Sequence, residues 1–222
     1  MAMTRMCAVA VLCAWHAWPP EPVLADVLTG TVTTKVREGT TAAPVVVYAE
    51  PVDGVVPVGE TNPLSLSQRN KSFSPRLLGV PVGAVVAFPN DDDIFHNVFS
   101  LSPGHAFDLG LYRAGASKSR TFASPGVVRV FCNIHPQMTA LLVVVPTKWI
   151  AAAGADGAWR LDLPPGRYTV TALSERAAPV TTDVTVAGAT TATSLALDES
   201  AFVAVTHTNK FGKPYPVSAY KP

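Results

Sequence analysis

The chain has 222 residues, 48% of them hydrophobic and 15% charged, with 17 basic and 16 acidic side chains and a formal net charge of +1. So even a balance argues against a nucleic-acid binder or a strongly charged membrane-surface protein. The length allows one or two cores of ordinary domain size. Val, Thr, Gly and Pro are abundant and helix signals nearly absent, which predicts an all-β fold.

The first 25 residues read as a secretory signal. Arg5 gives a positive start, Met6 to Trp18 a short apolar run, and Val23-Leu24-Ala25 a small-residue exit before Asp26. Pro19-Pro20 interrupts the run too early for a membrane span. Val11 and Leu12 are too bulky for a lipid-attachment signal at Cys13. The expected product is periplasmic, cleaved near Ala25-Asp26. Cleavage there removes Cys7, Cys13 and His16 and leaves Cys132 as the single thiol. In an oxidising compartment a lone thiol has no disulfide partner. A metal bond accounts for it, because coordination holds the sulfur as a thiolate.

Along the chain, Leu28 to Val32 and Pro44 to Tyr48 read as strands. Leu64-Ser65-Leu66-Ser67-Gln68 alternates apolar and polar. Leu77 to Val80 and Ala84 to Phe88 flank a turn at Pro81-Val82-Gly83, and His96 to Leu101 and Ser117 to Phe122 follow. Phe107 to Tyr112 is assigned packing and turn structure, without chemistry. Val127 to Cys132 is β-branched and starts after the turn pair Pro125-Gly126. Alternation puts Val128, Val130 and Cys132 on one face and Val127, Arg129 and Phe131 on the other. Arg129 prefers water, so Cys132 faces inward. Thr139 to Val145 is the next strand. Beyond Pro146, residues 154–170 carry two turn signals around a short strand, and strand-like runs recur at Thr182 to Ala187 and Thr191 to Leu197. The tail, Thr206 to Pro216, is polar, turn-rich and aromatic, and either docks on the body or stays mobile. His105 and His207 read as ordinary surface histidines.

The chemistry concentrates in Cys132-Asn133-Ile134-His135-Pro136-Gln137-Met138 together with His96, which lies 36 residues before Cys132. One thiolate, two imidazoles and one thioether suit copper in both oxidation states: soft sulfur favours Cu(I), and imidazole also accepts Cu(II). Pro136 removes a backbone donor and disfavours helix at His135, which favours a fixed turn. Zinc accepts Cys and His as well, but Met is a poor fourth zinc ligand. The triplet Asp91-Asp92-Asp93 reads as loop solvation or as a docking patch for a basic partner.

The segment from Phe88-Pro89-Asn90-Asp91-Asp92 through His96-Asn97-Val98 to Cys132, His135 and Met138 resembles the cupredoxins, plastocyanin-like blue-copper proteins. The amicyanin and pseudoazurin type shares the C-x-x-H-x-x-M spacing. The whole chain resembles a bacterial periplasmic group labelled methylamine-utilisation proteins. The resemblance implies one type 1 copper held by His96, Cys132, His135 and Met138, with Asn97 tying the two ligand-bearing loops by hydrogen bonds. It also implies electron transfer between redox partner proteins that dock transiently near His135. The alternative is copper storage, delivery or sensing without a carrier role. An enzyme is not expected: catalytic copper needs further histidine clusters, and after cleavage only His96, His105, His135 and His207 remain.

The D-G-x-[aromatic] and L-P-P-G-x-Y turns at Asp156 to Trp159 and Leu163 to Tyr168 resemble the carboxypeptidase regulatory-like sandwich, which carries no catalytic residues. The expected fold is all-β, a cupredoxin Greek-key β-barrel or sandwich plus this second small β-sandwich. The expected division is 1–25 signal peptide, 26–50 first strands of the regulatory-like sandwich, 51–146 copper domain, 147–200 rest of the sandwich, and 201–222 tail. The copper domain would then be an insertion. The alternative is a tandem arrangement, with 26–50 as a cupredoxin edge.

Overall fold

The computed structural model describes residues 26–54, 63–188, 190–204 and 206–215, so the expected signal segment lies outside the described residues. Their regular structure is entirely β. In chain order the strands are β1 (Asp26–Lys35), β2 (Val45–Pro51), β3 (Leu64–Ser65), β4 (Ser67–Arg69), β5 (Ser72–Ser74) and β6 (Leu77–Pro81). Next come β7 (Val85–Pro89), β8 (His96–Ser100), β9 (Phe107–Tyr112), β10 (Ser117–Thr121), β11 (Gly126–Phe131) and β12 (Thr139–Val145). The last are β13 (Ile150–Ala152), β14 (Ala158–Leu163), β15 (Gly166–Ser174), β16 (Val180–Val186) and β17 (Thr190–Asp198). No helix among the described residues is long and apolar enough to cross a membrane.

The middle of the chain forms one sandwich. A five-stranded sheet, β6-β12-β11-β8-β9, faces a three-stranded sheet, β10-β7-β3. Leu66, Phe88, Phe122, Val128, Val130 and Leu142 fill the space between them. Strand β11 shows the predicted alternation: Val128, Val130 and the following Cys132 are sealed while Arg129 is exposed. Two predicted segments differ in detail. The run from Leu64 to Gln68 divides into β3 and β4, because Leu66 turns into the core and donates its N–H to Ala87 O at 2.9 Å. Phe107 to Tyr112, assigned to packing and turns, is the edge strand β9. Gly110 at φ +71° and a register shift opposite Asn97 and Phe99 break the alternation that would have marked it.

Strands from residues 26–51 and 150–198 form a second sandwich. Strand β1 lies between β14, antiparallel, and β17, parallel; β2 lies between β13 and β15. Residues 26–51 therefore pair with strands that begin after residue 149, and among the described residues no ladder joins them to the sheets of the first sandwich. Leu28, Trp159, Leu163, Tyr168, Val170 and Leu197 make its core. Gly30 is required there. A Cβ at this position would lie 2.3 Å from Thr193 O and 2.4 Å from the Trp159 ring.

The two sandwiches share strand β12, which is buried on both faces. Ala140, Leu142 and Val144 face the core of the first sandwich, while Leu141, Val143 and Val145 meet Val46 and Leu173 of the second. Burial on both faces explains why Thr139–Val145 is a continuous apolar run rather than an alternating one. Arg76 and Glu175 close the edge of this contact with an ion pair at 3.0 Å.

Candidate metal centre

Three side chains from two strand ends converge at one end of the first sandwich. His96 is the first residue of β8 and fully buried; Cys132, just past β11, is also sealed; His135 lies in the next turn and is half-buried. The loop is closed by its own backbone: Cys132 N–H donates to Met138 O at 3.1 Å and Met138 N–H to His135 O at 2.9 Å. Met138 is fully buried in the same core.

The donor atoms form a compact triangle. His96 Nδ1 and His135 Nδ1 are 3.2 Å apart, and Cys132 Sγ lies 3.8 Å from the first and 3.6 Å from the second. The circumradius of a triangle with sides of 3.2, 3.6 and 3.8 Å is about 2.1 Å, the length of a metal–nitrogen bond and close to that of a metal–thiolate bond. The three residues thus form a group that fits a single ion. The donors suit it too, since two imidazoles and a thiolate are ligands copper accepts in both states.

A fourth residue orients the site, and the sequence did not single it out for that role. Asp92 Oδ2 sits 2.6 Å from His96 Nε2. A carboxylate can only accept here, so Nε2 carries the proton and Nδ1 presents its lone pair to the triangle. Such carboxylate–histidine contacts fix the tautomer and raise ligand basicity. Asp92 is in turn held by the hairpin between β4 and β5. Its carboxylate accepts from Asn70 N–H at 2.5 Å and Lys71 N–H at 2.9 Å, both at positive φ in a two-residue turn. Asn90 staples the loop above by donating to Ile94 O at 2.8 Å. The acidic triplet was read as solvation or docking; its middle member is engaged with His96. The available signal was spacing, with Asp92 four residues before His96.

Asn97, expected to tie the ligand-bearing loops, is buried beside His96. Its Nδ2 donates to Asp108 Oδ1 at 2.7 Å, and its Oδ1 has no partner among the described residues. It does not reach the ligand loop directly. Neither His105 nor His207 belongs to the donor group among the described residues. His105, expected at the surface, is buried with Nε2 3.2 Å from Pro125 O. His207 stacks on Phe131 with ring centroids 4.1 Å apart.

Burial lowers the His135 pKa below the usual histidine value, and the nearby His96 and Lys71 push the same way. A ring that resists protonation is suited to bind metal. At Asp92 burial pushes the carboxyl up, but hydrogen bonds from Lys71, His96 and Asn70 outweigh it and leave the pKa lowered. For His135 the unfolded chain binds the proton first, at about pH 6.5. Stability of the metal-free protein is therefore complete above that value and falls as pH drops through it. Thermal unfolding between pH 8 and pH 5 is expected to show this slope, and His135→Gln to flatten it. An unchanged slope in the variant would assign the effect elsewhere.

No protein-family model and no curated protein sequence matches the chain. Solved structures do. A purple cupredoxin from Nitrosopumilus maritimus aligns over 37% of this chain and 99% of its own, with 26% identity and a TM-score of 0.34. A copper-containing nitrite reductase from Thermus scotoductus aligns over 43% of this chain and 25% of its own, with 26% identity and a TM-score of 0.37. A Cu(I) methionine-to-alanine variant of amicyanin aligns over 44% of this chain and 99% of its own, with 19% identity and a TM-score of 0.36.

Proposed function

We propose that this chain is an exported, periplasmic type 1 copper protein that carries single electrons between redox partners. The observation that carries this reading is the triangle of His96 Nδ1, His135 Nδ1 and Cys132 Sγ, sized for one ion and preset by Asp92. In this reading His96, Cys132 and His135 would hold one copper, with Met138 as the thioether ligand. The bound copper supplies a one-electron couple. The protein contributes rigidity: ligands on strand ends, a loop closed by its own hydrogen bonds, and a sealed, largely apolar wall. Little then rearranges when the charge at the site changes.

His135 is the member of the triangle that is not sealed, so we assign it the path for the electron. Ile134 beside it is 48% exposed and Phe95 beside His96 is 54% exposed. Apolar groups there support a small, transient docking surface. The proposal is a carrier and not an enzyme, of a kind similar to the methylamine-utilisation group. We also propose the domain division 26–50 with 147–200 for a regulatory-like sandwich, 51–146 for the inserted copper domain, and 201–222 for the tail. The pairing of β1 and β2 with β13, β14, β15 and β17 supports it.

Voltammetry tests the carrier role. The copper-loaded protein is expected to give a reversible one-electron wave, and Met138→Leu to keep copper while raising the potential. Replacing the thioether with hydrocarbon lowers the polarity around the copper and so disfavours the more charged Cu(II) state. A potential that stayed or fell would remove Met138 from the ligand set. Release of metal on each reduction would favour storage or delivery over electron transfer.

A further inference from the structure

The segment Thr206 to Tyr215 packs directly on the ligand loop. Tyr215 donates its hydroxyl to Cys132 O at 3.1 Å, and Lys210 N–H donates to Asn133 Oδ1 at 3.0 Å. His207 lies with Nε2 2.5 Å from Pro136 O while its ring stacks on Phe131 at an interplanar angle of 20°. Three successive parts of the loop thus take donors from the tail. The tail presents them from a turn of its own. Asn209 N–H donates to Lys213 O at 2.8 Å, and Asn209 Oδ1 accepts from Phe211 N–H at 2.9 Å and Lys213 N–H at 3.1 Å.

Lys210 also reaches the other ligand-bearing segment. Its ammonium pairs with Asp108 Oδ2 at 2.8 Å, and Asp108 Oδ1 accepts from Asn97 at 2.7 Å and Gly110 N–H at 2.8 Å. The connection from Asn97, next to His96, to Asn133, next to Cys132, therefore runs through Asp108 and Lys210. Beside the β11–β8 ladder, a second tie between the ligand segments is made by residues about 70 to 100 positions further along the chain.

We propose that the C-terminal segment is a structural part of the metal centre, with Lys210 and Tyr215 as positioning residues that set the Cys132–Met138 loop against β8. The proposal rests on the copper reading for its spectroscopic consequence only. Its mechanical part stands on the metal-free protein. Tyr215 fixes the carbonyl of the thiolate residue itself, and Lys210 fixes both loops at once, so loosening either changes the direction of the Cys132 side chain. Outer contacts of this kind set ligand orientation and thereby the properties of the metal.

The test uses the full chain with Tyr215→Phe and Lys210→Met, and Lys210→Arg as the conservative control. In metal-free protein, amide exchange at Cys132 and Met138 is expected to quicken about fivefold to tenfold in the first two variants, the effect of one lost hydrogen bond. Exchange in β14 to β17 stays at the wild-type rate, and Lys210→Arg restores the loop. In copper-loaded protein, the copper hyperfine splitting and reduction potential move in Tyr215→Phe while metal remains bound. Faster loop exchange in a wild type that shows no thiolate–copper band upholds the strap and fails the copper reading alone; in a blue wild type, faster exchange upholds the strap together with a shifted splitting and potential. Unchanged exchange overturns the strap, and so does a blue wild type whose splitting and potential are untouched by Tyr215→Phe.

Discussion

Replacing Cys132 with serine is expected to leave a folded protein that binds Cu(II) at least about 100-fold more weakly and lacks an intense visible band. Contacts one step removed from a metal are already worth about 10- to 100-fold in affinity, and a ligand itself is worth more. Serine is close in volume, so packing around this sealed position changes little. The buried hydroxyl costs about 1–3 kcal/mol if unpaired, within what a domain of ordinary stability, about 5–15 kcal/mol, tolerates. Competition with a chelator of known affinity measures the effect. An unchanged affinity would mean that copper binds elsewhere, and the triangle would be a core feature only.

The second large effect lies in the scaffold. Phe88→Ala is expected to lower the unfolding free energy by about 3–5 kcal/mol, the usual cost of deleting a buried aromatic ring. Phe88 is fully buried, and its carbonyl accepts the Tyr112 hydroxyl at 2.8 Å. Gln68 reaches the same carbonyl at 3.3 Å and also pairs with the Tyr112 hydroxyl, so the ring and its backbone hold β7, β9 and β4 together. The next residues, Pro89 and Asn90, lead into the loop that delivers Asp92 and His96. Metal affinity should fall with stability, because binding and folding are linked. Urea unfolding provides the number, with the midpoint moving and the slope kept. Phe95→Ala is the control. Phe95 is 54% exposed, and its loss should stay within about 0.5 kcal/mol. Equal costs at the two positions would contradict the assigned core.

What could be read in advance follows from how local each feature is. The strands around the ligand loop were legible because β-branched alternation is a short-range pattern, and Arg129 fixed which face of β11 is inside. The grouping of Cys132 and His135 was legible from a three-residue spacing, and His96 from the His96-Asn97 pair on a β-patterned segment 36 residues before Cys132. Asp92 was not. Its role depends on the β4–β5 turn, where Asn70 and Lys71 take positive φ and aim two N–H groups at it. Strand β9 was hidden by Asp108 and Gly110, which interrupt its apolar pattern. The tail was the least legible. Its polar, turn-rich composition is that of many mobile termini, and the carbonyls of Pro136 and Cys132 that His207 and Tyr215 engage come from the folded ligand loop.

The central claim, that His96, Cys132 and His135 hold copper through a thiolate, is tested most directly by visible absorption and EPR of the purified protein after addition of one equivalent of Cu(II). The account predicts an intense thiolate-to-copper band with narrow copper hyperfine splitting, both absent in Cys132→Ser. A colourless protein, or a spectrum that the substitution leaves unchanged, would contradict it.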